Sequence, residues 1–385
     1  MTDVLADLPI QVVIADEAHK IKNRTSKTFK AMMKIQPEYR FALTGTPMQN
    51  RMEELHTLIS WVDKDILPNI TNFRKRYIVY GEKFGRRFVP LGYKRQYEVR
   101  KAISPRMLRR MKTDVATDLP PMTFHRHDIP MTSDQAELYK AIQEDFQGFL
   151  EEIGEFAKSA KGEFKEGQWV QEKHPKEDML LGYMNLMLAV ADDPYLLRMS
   201  EGGMAKKYLR LVSPDIKSPK LDELVKICED QLDAGTQKIV LFTQFTRMQR
   251  RVVARLMKLG MCEVINGSMK PFERQQAVDN FRWKPEVKFL VCTDAANFGL
   301  NLQFANVLIH VDSPYNPAIF DQRNGRVHRI GGEHPVVNII YLVTMGTIDE
   351  RIQDILEQKR MLSTQVVERN ENEKAVMNRL LTSIS

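Results

Sequence analysis

Long apolar runs, paired cysteines and an apolar leader are all missing from this 385-residue chain. Its longest apolar run is about six residues, against the ~20 that a membrane-spanning helix needs. Met1 to Leu8 carries Asp3 and Asp7 and no hydrophobic stretch, so it does not read as a secretory signal. Cys228, Cys262 and Cys292 lie too far apart for a metal knuckle or a disulfide framework. They fit a reducing, intracellular setting. Internal repeats and low-complexity tracts are absent as well. What remains is 43% hydrophobic and 28% charged, the balance of a folded protein rather than a disordered one. The length allows two or three domains, each able to bury a core.

The positive charge is unevenly distributed. The net charge is +7, yet residues 71–130 hold 15 Lys/Arg and 5 Asp/Glu, an excess larger than the whole. A polyanionic partner is the first expectation, and a solvated basic face is the alternative. Aromatic residues interleave these charges at Phe73, Tyr77, Tyr80, Phe84, Phe88, Tyr93 and Tyr97. Their spacing is irregular and points to local packing more than to a stacking platform.

Residues 10–15 and 41–44 read as short buried strands flanking a helix whose apolar face holds Phe29, Met32 and Met33. Residues 133–160 predict a helix with Ser133 as N-cap, followed by an apolar helix over 178–199 that breaks at Pro194. Beyond residue 220 strands are predicted at 238–242, 262–265, 287–292, 306–311 and 336–343, with helices at 221–232, 246–259 and 271–282 between them. This alternation implies a parallel sheet covered on both faces. Thr347-Ile-Asp-Glu350 reads as a capping box that opens a C-terminal helix.

Polar residues gather where the strands end: Asp16-Glu17-Ala18-His19, Thr44-Gly45-Thr46, Thr243-Gln244, Thr293-Asp294 and Asp312. Open α/β sheets bind ligands outside those ends. Adjacent carboxylates such as Asp16 and Glu17 suit nucleotide chemistry, one for a hydrated Mg²⁺ and one to deprotonate the attacking water. A chance Asp-Glu in a loop is the competing reading. Arg326 and Arg329, three residues apart, share a helix face and could neutralise charge on a transferring phosphoryl group. An exposed salt-bridged helix is the plainer alternative.

Five segments in order carry a resemblance. They are Asp-Glu-Ala-His at 16–19, Leu-Thr-Gly-Thr-Pro-Met-Gln-Asn at 43–50 and Phe-Thr-Gln-Phe at 242–245. Thr-Asp-Ala-Ala-Asn-Phe-Gly-Leu-Asn-Leu at 293–302 and Gln-x-x-x-Arg-x-x-Arg-x-Gly at 322–331 complete the set. Together they resemble motifs II to VI of superfamily 2 helicase-like ATPases. Ala-His-Lys-Ile-Lys-Asn at 18–23, Met-Leu-Arg-Arg-Met-Lys-Thr-Asp-Val at 107–115 and Leu-Pro-Pro at 119–121 are similar to the Swi/Snf-type branch.

The resemblance implies an α/β fold of two RecA-like P-loop NTPase lobes with helical protrusions between them, the first lobe N-terminally incomplete. It divides the chain into a partial first lobe at 1–132 with a basic protrusion at 71–112, a helical insertion at 133–218, a second lobe at 219–346 and a C-terminal helix at 347–385. It implies ATP and Mg²⁺ as cofactors and double-stranded DNA as partner. Asp16 would bind Mg²⁺, Glu17 would be the catalytic base, and His19 would link the nucleotide site to the other lobe. Thr44 and Thr46 match a coupling element. Arg326 and Arg329 match arginine fingers, with Gln322 beside them. Gly299 and Asn301 match motif V, at the nucleotide cleft and the DNA strand. Thr243, Gln244, Arg109, Arg110 and Lys112 match DNA-facing positions. The compartment implied is DNA-associated, cytoplasmic in a prokaryote or virus and nuclear in a eukaryote.

The chain departs from the family at Ala295-Ala296-Asn297, where glycines are usual, and at Gly332. It also contains no Gly-x-x-x-x-Gly-Lys-Ser/Thr, the loop whose backbone amides and lysine cradle phosphates. Strand 10–15 is apolar enough to need cover on both faces. An N-terminal half-lobe carrying that loop is therefore expected as a partner or as upstream sequence. A non-catalytic DNA-binding or scaffolding remnant is the alternative from another class, and a strand-separating helicase is a third.

If the basic segment lies on duplex DNA, contact is mainly to phosphates. Neutralising six to ten of them predicts a loss of about 10³ to 10⁵ in affinity between 50 and 200 mM salt. Anisotropy titrations with duplexes of unrelated sequence measure this, and a flat profile would place the DNA surface elsewhere.

Overall fold

The computed structural model describes residues 8–45, 47–48, 51–80, 90–108, 119–159, 175–294, 300–314 and 317–354. By internal contacts the chain forms two compact units, one built mainly from Met1–Lys112 and the other mainly from Thr113–Phe156 and Phe164–Val367.

In the first unit, β1 (Val12–Ala15) pairs in parallel with β2 (Tyr39–Ala42), in the register Val12 to Tyr39 and Ile14 to Phe41. Helix Lys27–Lys34 connects them, and its N-cap Ser26 accepts the Phe29 N–H at 3.1 Å. Inward residues make a small core of Ala18, Ile21, Phe29, Leu58 and Trp61. Among the described residues the opposite face has no cover. Val12, Ile14, Tyr39, Phe41 and Leu43 are 47–62% exposed, although the sequence reading expects both strands to be buried. Sheets made only of parallel strands ordinarily have cover on both faces.

The segment after β2 is more regular than its composition suggests. Helices Met52–Val62, Ile70–Tyr77 and Gln96–Ile103 surround the antiparallel pair β3 (Ile78–Tyr80) and β4 (Pro90–Tyr93). Phe73, Tyr77, Val99 and Ile103 close a second core with Met52 and Ile59. Phe73 and Tyr77 are thus packing residues. Tyr97 is the exposed exception.

The second unit holds a six-stranded parallel sheet in the order β5-β10-β9-β6-β8-β7. The strands are β5 (Met122–Ile129), β6 (Ile239–Phe242), β7 (Met261–Ile265), β8 (Val287–Cys292), β9 (Val307–His310) and β10 (Val337–Thr344). β6 and β9 are buried at every position, as the apolar runs Ile239–Phe242 and Val307-Leu-Ile predict for central strands, and β9 ends in the buried His310. β5 differs from the sequence reading, which places residues 122–129 within a first lobe ending at 132. It pairs with β10 over eight residues and so belongs to this sheet. Helices Ser133–Ser159 and Pro175–Asp192 also pack into the same continuous core, through Leu138, Ile142, Phe146, Met184 and Met187. Among the described residues no helix is long and apolar enough to cross a membrane.

Fully buried ions tie this unit together. Lys220, at the start of helix Pro219–Asp233, reaches Asp192 Oδ1 at 2.8 Å and Asp349 Oδ2 at 2.6 Å, with all three side chains sealed from water. Burial alone would lower the lysine pKa. The two carboxylates reverse that and keep it charged. Burial also raises the Asp192 carboxyl well above the usual carboxylate range, against the pull of Lys220. Asp349 further accepts the Thr344 N–H at 3.1 Å. One ammonium therefore joins the end of helix Pro175–Asp192, the start of Pro219–Asp233 and the start of the helix over 348–354 that follows β10.

Two helix starts differ in detail from expectation. Thr132, not Ser133, caps the long helix: its Oγ1 accepts the Gln135 N–H at 3.3 Å, and its carbonyl accepts the Ala136 N–H at 2.8 Å. Thr347 does cap helix 348–354, accepting the Asp349 N–H at 3.2 Å. Glu350, however, takes the N–H of Gly346 at 2.8 Å, one residue further back than a capping box requires. Residues beyond 354 in the expected C-terminal helix lie outside the described residues.

Thr132→Ala is expected to lower the stability of the second unit by about 1 kcal/mol, and Ser133→Ala to leave it nearly unchanged. Urea unfolding followed by far-ultraviolet circular dichroism separates the two. The reverse ranking would restore Ser133 as the cap.

Candidate functional site

The acidic pair lies at the carboxyl end of β1. Asp16 is exposed and Glu17 half-buried. Glu17 adopts a left-handed backbone, φ 50° and ψ 48°, a conformation that costs an L-residue roughly 1–2 kcal/mol. Four contacts hold the turn. The Glu17 N–H donates to Asp16 Oδ1 at 2.8 Å, and the Glu17 carbonyl accepts the Lys20 N–H at 3.0 Å. The Ala18 N–H reaches the Leu43 carbonyl at 2.9 Å, and the Leu43 N–H reaches the Ala15 carbonyl at 2.9 Å. The ends of β1 and β2 are thereby stitched together, with Thr44 following directly. His19 is buried on a short 3-10 turn, Ala18–Ile21, with its Nδ1 3.1 Å from Glu17 Oε2. Burial lowers the His19 pKa, Glu17 opposes that, and Lys22 and Lys20 reinforce it. A neutral imidazole thus stands beside the carboxylate expected to act as base. Strain retained by several contacts at one acidic residue is characteristic of functional turns.

Among the described residues no group of three or more His, Cys, Asp or Glu converges on a metal position. Mg²⁺ is commonly held by one or two carboxylates, water and a substrate's phosphates. Asp16 fits such a role: it is an exposed carboxylate at a strand end, with one oxygen already oriented by the Glu17 N–H.

In the second unit the strand-end polar residues converge as their placement predicts. Asp312 is fully buried and accepts the Thr243 hydroxyl. Its two oxygens lie 2.9 and 2.8 Å from the Gln244 N–H. Burial raises the Asp312 pKa, and Arg323, Thr243 and Gln244 pull it back. Gln244 Nε2 donates to the Ser313 carbonyl at 2.7 Å. Thr243 is a correction: expected to face DNA, it has no exposed surface and donates its hydroxyl inward.

Helix Pro317–Val327 carries Gln322, which is half-buried, and Arg326, which is buried and donates to the Leu300 carbonyl at 3.3 Å. Arg329 follows the helix. Its Nε donates to the Gly325 carbonyl at 3.0 Å, and its Nη1 donates to Asn301 Oδ1. The structure therefore joins Asn301 to Arg329, which the sequence reading assigned to separate roles. Thr46, Gly299, Arg109, Arg110, Lys112 and the unusual Ala295-Ala296-Asn297 lie outside the described residues.

Sequence reasoning missed Arg323. Its side chain is fully buried, and it donates to Asp294 Oδ1 from Nε at 2.9 Å and from Nη2 at 2.7 Å. Its Nη1 donates to the Asp312 carbonyl at 3.2 Å and lies 3.4 Å from His310 Nδ1. An acceptor Nδ1 places the imidazole proton on Nε2, which donates to Asn324 Oδ1 at 2.8 Å. The only sequence signal was position: Arg323 sits inside the Gln-x-x-x-Arg-x-x-Arg segment.

Comparison with known proteins matches residues 1–194 to the SNF2-related domain and residues 219–331 to the helicase conserved C-terminal domain. The chain is similar to YwqA of Bacillus subtilis, 29% identical over 95% of this chain and 37% of that protein. It is also similar to the mouse chromodomain-helicase-DNA-binding protein 1-like, 29% identical over 93% of this chain and 36% of that protein. It thus spans little more than a third of the length of these two relatives. A solved structure, the Sulfolobus solfataricus SWI2/SNF2 ATPase core in complex with dsDNA, aligns over 95% of this chain and 72% of that one, with 28% identity and a TM-score of 0.48.

His19 provides a pH test of the acidic turn. Its folded pKa lies below the ordinary 6.5, so its contribution to stability is complete above pH 6.5 and is lost as pH falls from there through the folded value. The loss runs at up to about 1.4 kcal/mol per pH unit in that window. Thermal unfolding at pH 7.5 and 5.5 should show it, and His19→Asn should reduce the dependence, leaving the part due to His56, whose burial in the same unit also lowers its pKa. Equal pH dependence in both proteins would place the titrating group elsewhere.

Proposed function

Because the chain belongs to the SNF2-related family, whose members are ATP-dependent helicases and ATPases, we propose that it is the C-terminal part of a motor that couples ATP hydrolysis to movement along double-stranded DNA. The observation that carries this reading is the strained acidic turn. An exposed Asp16 and a left-handed Glu17 stand at the end of a parallel strand, with neutral, buried His19 against the Glu17 carboxylate.

In this reading Asp16 holds the Mg²⁺ of Mg-ATP, which supplies positive charge to the phosphate oxygens when bound. Glu17 orients and deprotonates the attacking water, and His19 holds the carboxylate in place. Thr44 and Thr46 follow β2, which the turn is stitched to, and transmit its movement. Gln322, Arg326 and Arg329 serve the transferring phosphoryl group. Their support is that the helix bearing Gln322 and Arg326 is anchored at several points and Arg329, just beyond it, is held by the Gly325 carbonyl and Asn301, so little reorganisation is needed at the moment of reaction. Gly299 belongs with the same nucleotide machinery.

DNA enters through the relatives' description as helicases and DNA-binding proteins and through the basic segment. Arg109, Arg110, Lys112, Gln244 and Asn301 remain the proposed contacts, without Thr243. The apolar face of β1 and β2 is the proposed seat of an N-terminal half-lobe bearing the phosphate-binding loop. A second reading, the non-catalytic DNA-binding or scaffolding remnant, is favoured by Ala295-Ala296-Asn297, where the family usually carries glycines.

Adding the family's missing half-lobe in trans decides between the two. ATP turnover should appear, rise with duplex DNA, and fall at least ~10²-fold with Glu17→Gln, since a general base commonly supplies about 10²- to 10⁴-fold. Turnover indifferent to Glu17→Gln, or none at all, would leave the remnant reading. A strand-displacement assay on the active mixture tests translocation without strand separation, for which no displaced strand is expected.

A further inference from the structure

We infer that Arg323 is a positioning residue: it fixes helix Pro317–Val327, and with it Gln322 and Arg326, against the ends of three central strands. The inference rests on the reading above, in which those two side chains serve the nucleotide.

A guanidinium with no access to water is costly unless nearly every donor is satisfied. At Arg323 the satisfying groups come from different elements. Asp294 follows β8 and takes two donors at 2.9 and 2.7 Å. His310, the last residue of β9, and the Asp312 carbonyl just beyond it take the third nitrogen. Phe242, the last residue of β6, lies under the guanidinium at 5.3 Å. The Asp312 carboxylate is 3.8 Å away and is itself oriented by Thr243 and Gln244, the residues following β6. One side chain thus reads the carboxyl ends of β6, β8 and β9 at once.

The helix is secured through the same strand ends. His310 stacks on Phe320 with centroids 4.2 Å apart and donates to Asn324, so residues 320, 323 and 324 form one buried face. Gln322 is the residue before Arg323, and Arg326 lies one turn beyond it. Any shift of the guanidinium fork along the strand ends therefore moves both. Lysine cannot substitute, because a single ammonium lacks the planar fork that engages Asp294 and the Asp312 carbonyl together.

The test uses the full chain with Arg323→Lys, Arg323→Met, Asp294→Asn and, as a control for general loss of packing, Leu342→Ala in β10. Hydrogen exchange of peptides covering 317–327 should accelerate roughly tenfold or more in the two Arg323 variants, with β10 and helix Pro271–Trp283 unchanged. Asp294→Asn should give a smaller effect of the same pattern, and Leu342→Ala should accelerate exchange across the unit. In the chain complemented with the half-lobe, Arg323→Lys should lower kcat by roughly ten- to hundredfold at an unchanged KM for ATP. Exchange over 317–327 within twofold of wild type in both Arg323 variants, or a pattern matching Leu342→Ala, would overturn the inference. If the complemented wild-type chain turns over no ATP, the motor reading fails, and the exchange result alone still decides whether Arg323 fixes the helix.

Discussion

A lysine sealed from water holds the larger unit together. Lys220 lies between Asp192 and Asp349, and no two of these residues belong to the same helix. Removing one partner from such a cluster strands the others as unpaired buried charge, so the three act as a unit. Through it the helical segment 175–192, the sheet-covering helix 219–233 and the first turn of helix 348–354 share one set of coordinates. The sheet then has a fixed frame in which its strand ends can be organised.

Those strand ends repeat the same solution. Asp312 joins the residues after β6 to the residues after β9, and Arg323 joins both to Asp294 after β8. The parallel sheet brings these backbone ends together at one edge. Buried ions and hydrogen bonds then set how the following helix leaves it. In the smaller unit the corresponding edge is held by backbone bonds between β1, β2 and the turn at Glu17. A rigid scaffold presenting chemistry from its loops is the common logic of α/β enzymes.

What could be read from the sequence was whatever depends on neighbours along the chain. β6, β8, β9 and β10 are mostly apolar, β-branched runs between turn residues, and each lies within one or two residues of its expected place. The acidic turn, too, was legible as local chemistry. β5 was missed because its Met-Thr-Phe-His-Arg-His-Asp-Ile sequence suits an edge strand, and its partner lies more than two hundred residues away. Lys220 and Arg323 look like surface charges until their partners are known, and those partners come from remote segments. The cap at Thr132 was misplaced by one residue because adjacent hydroxyls are equivalent to a pattern. Thr243 was read as a contact residue because sequence shows that a hydroxyl follows a strand but not which way it turns.

The left-handed backbone at Glu17 sets fold and chemistry in competition at one position. Glycine would adopt φ 50° without steric cost, so a chain selected for stability alone would drift toward glycine there. A glutamate at that position bears a standing steric cost of roughly 1–2 kcal/mol that glycine would not, so the turn stands only because the strand ends on either side of it are stitched together.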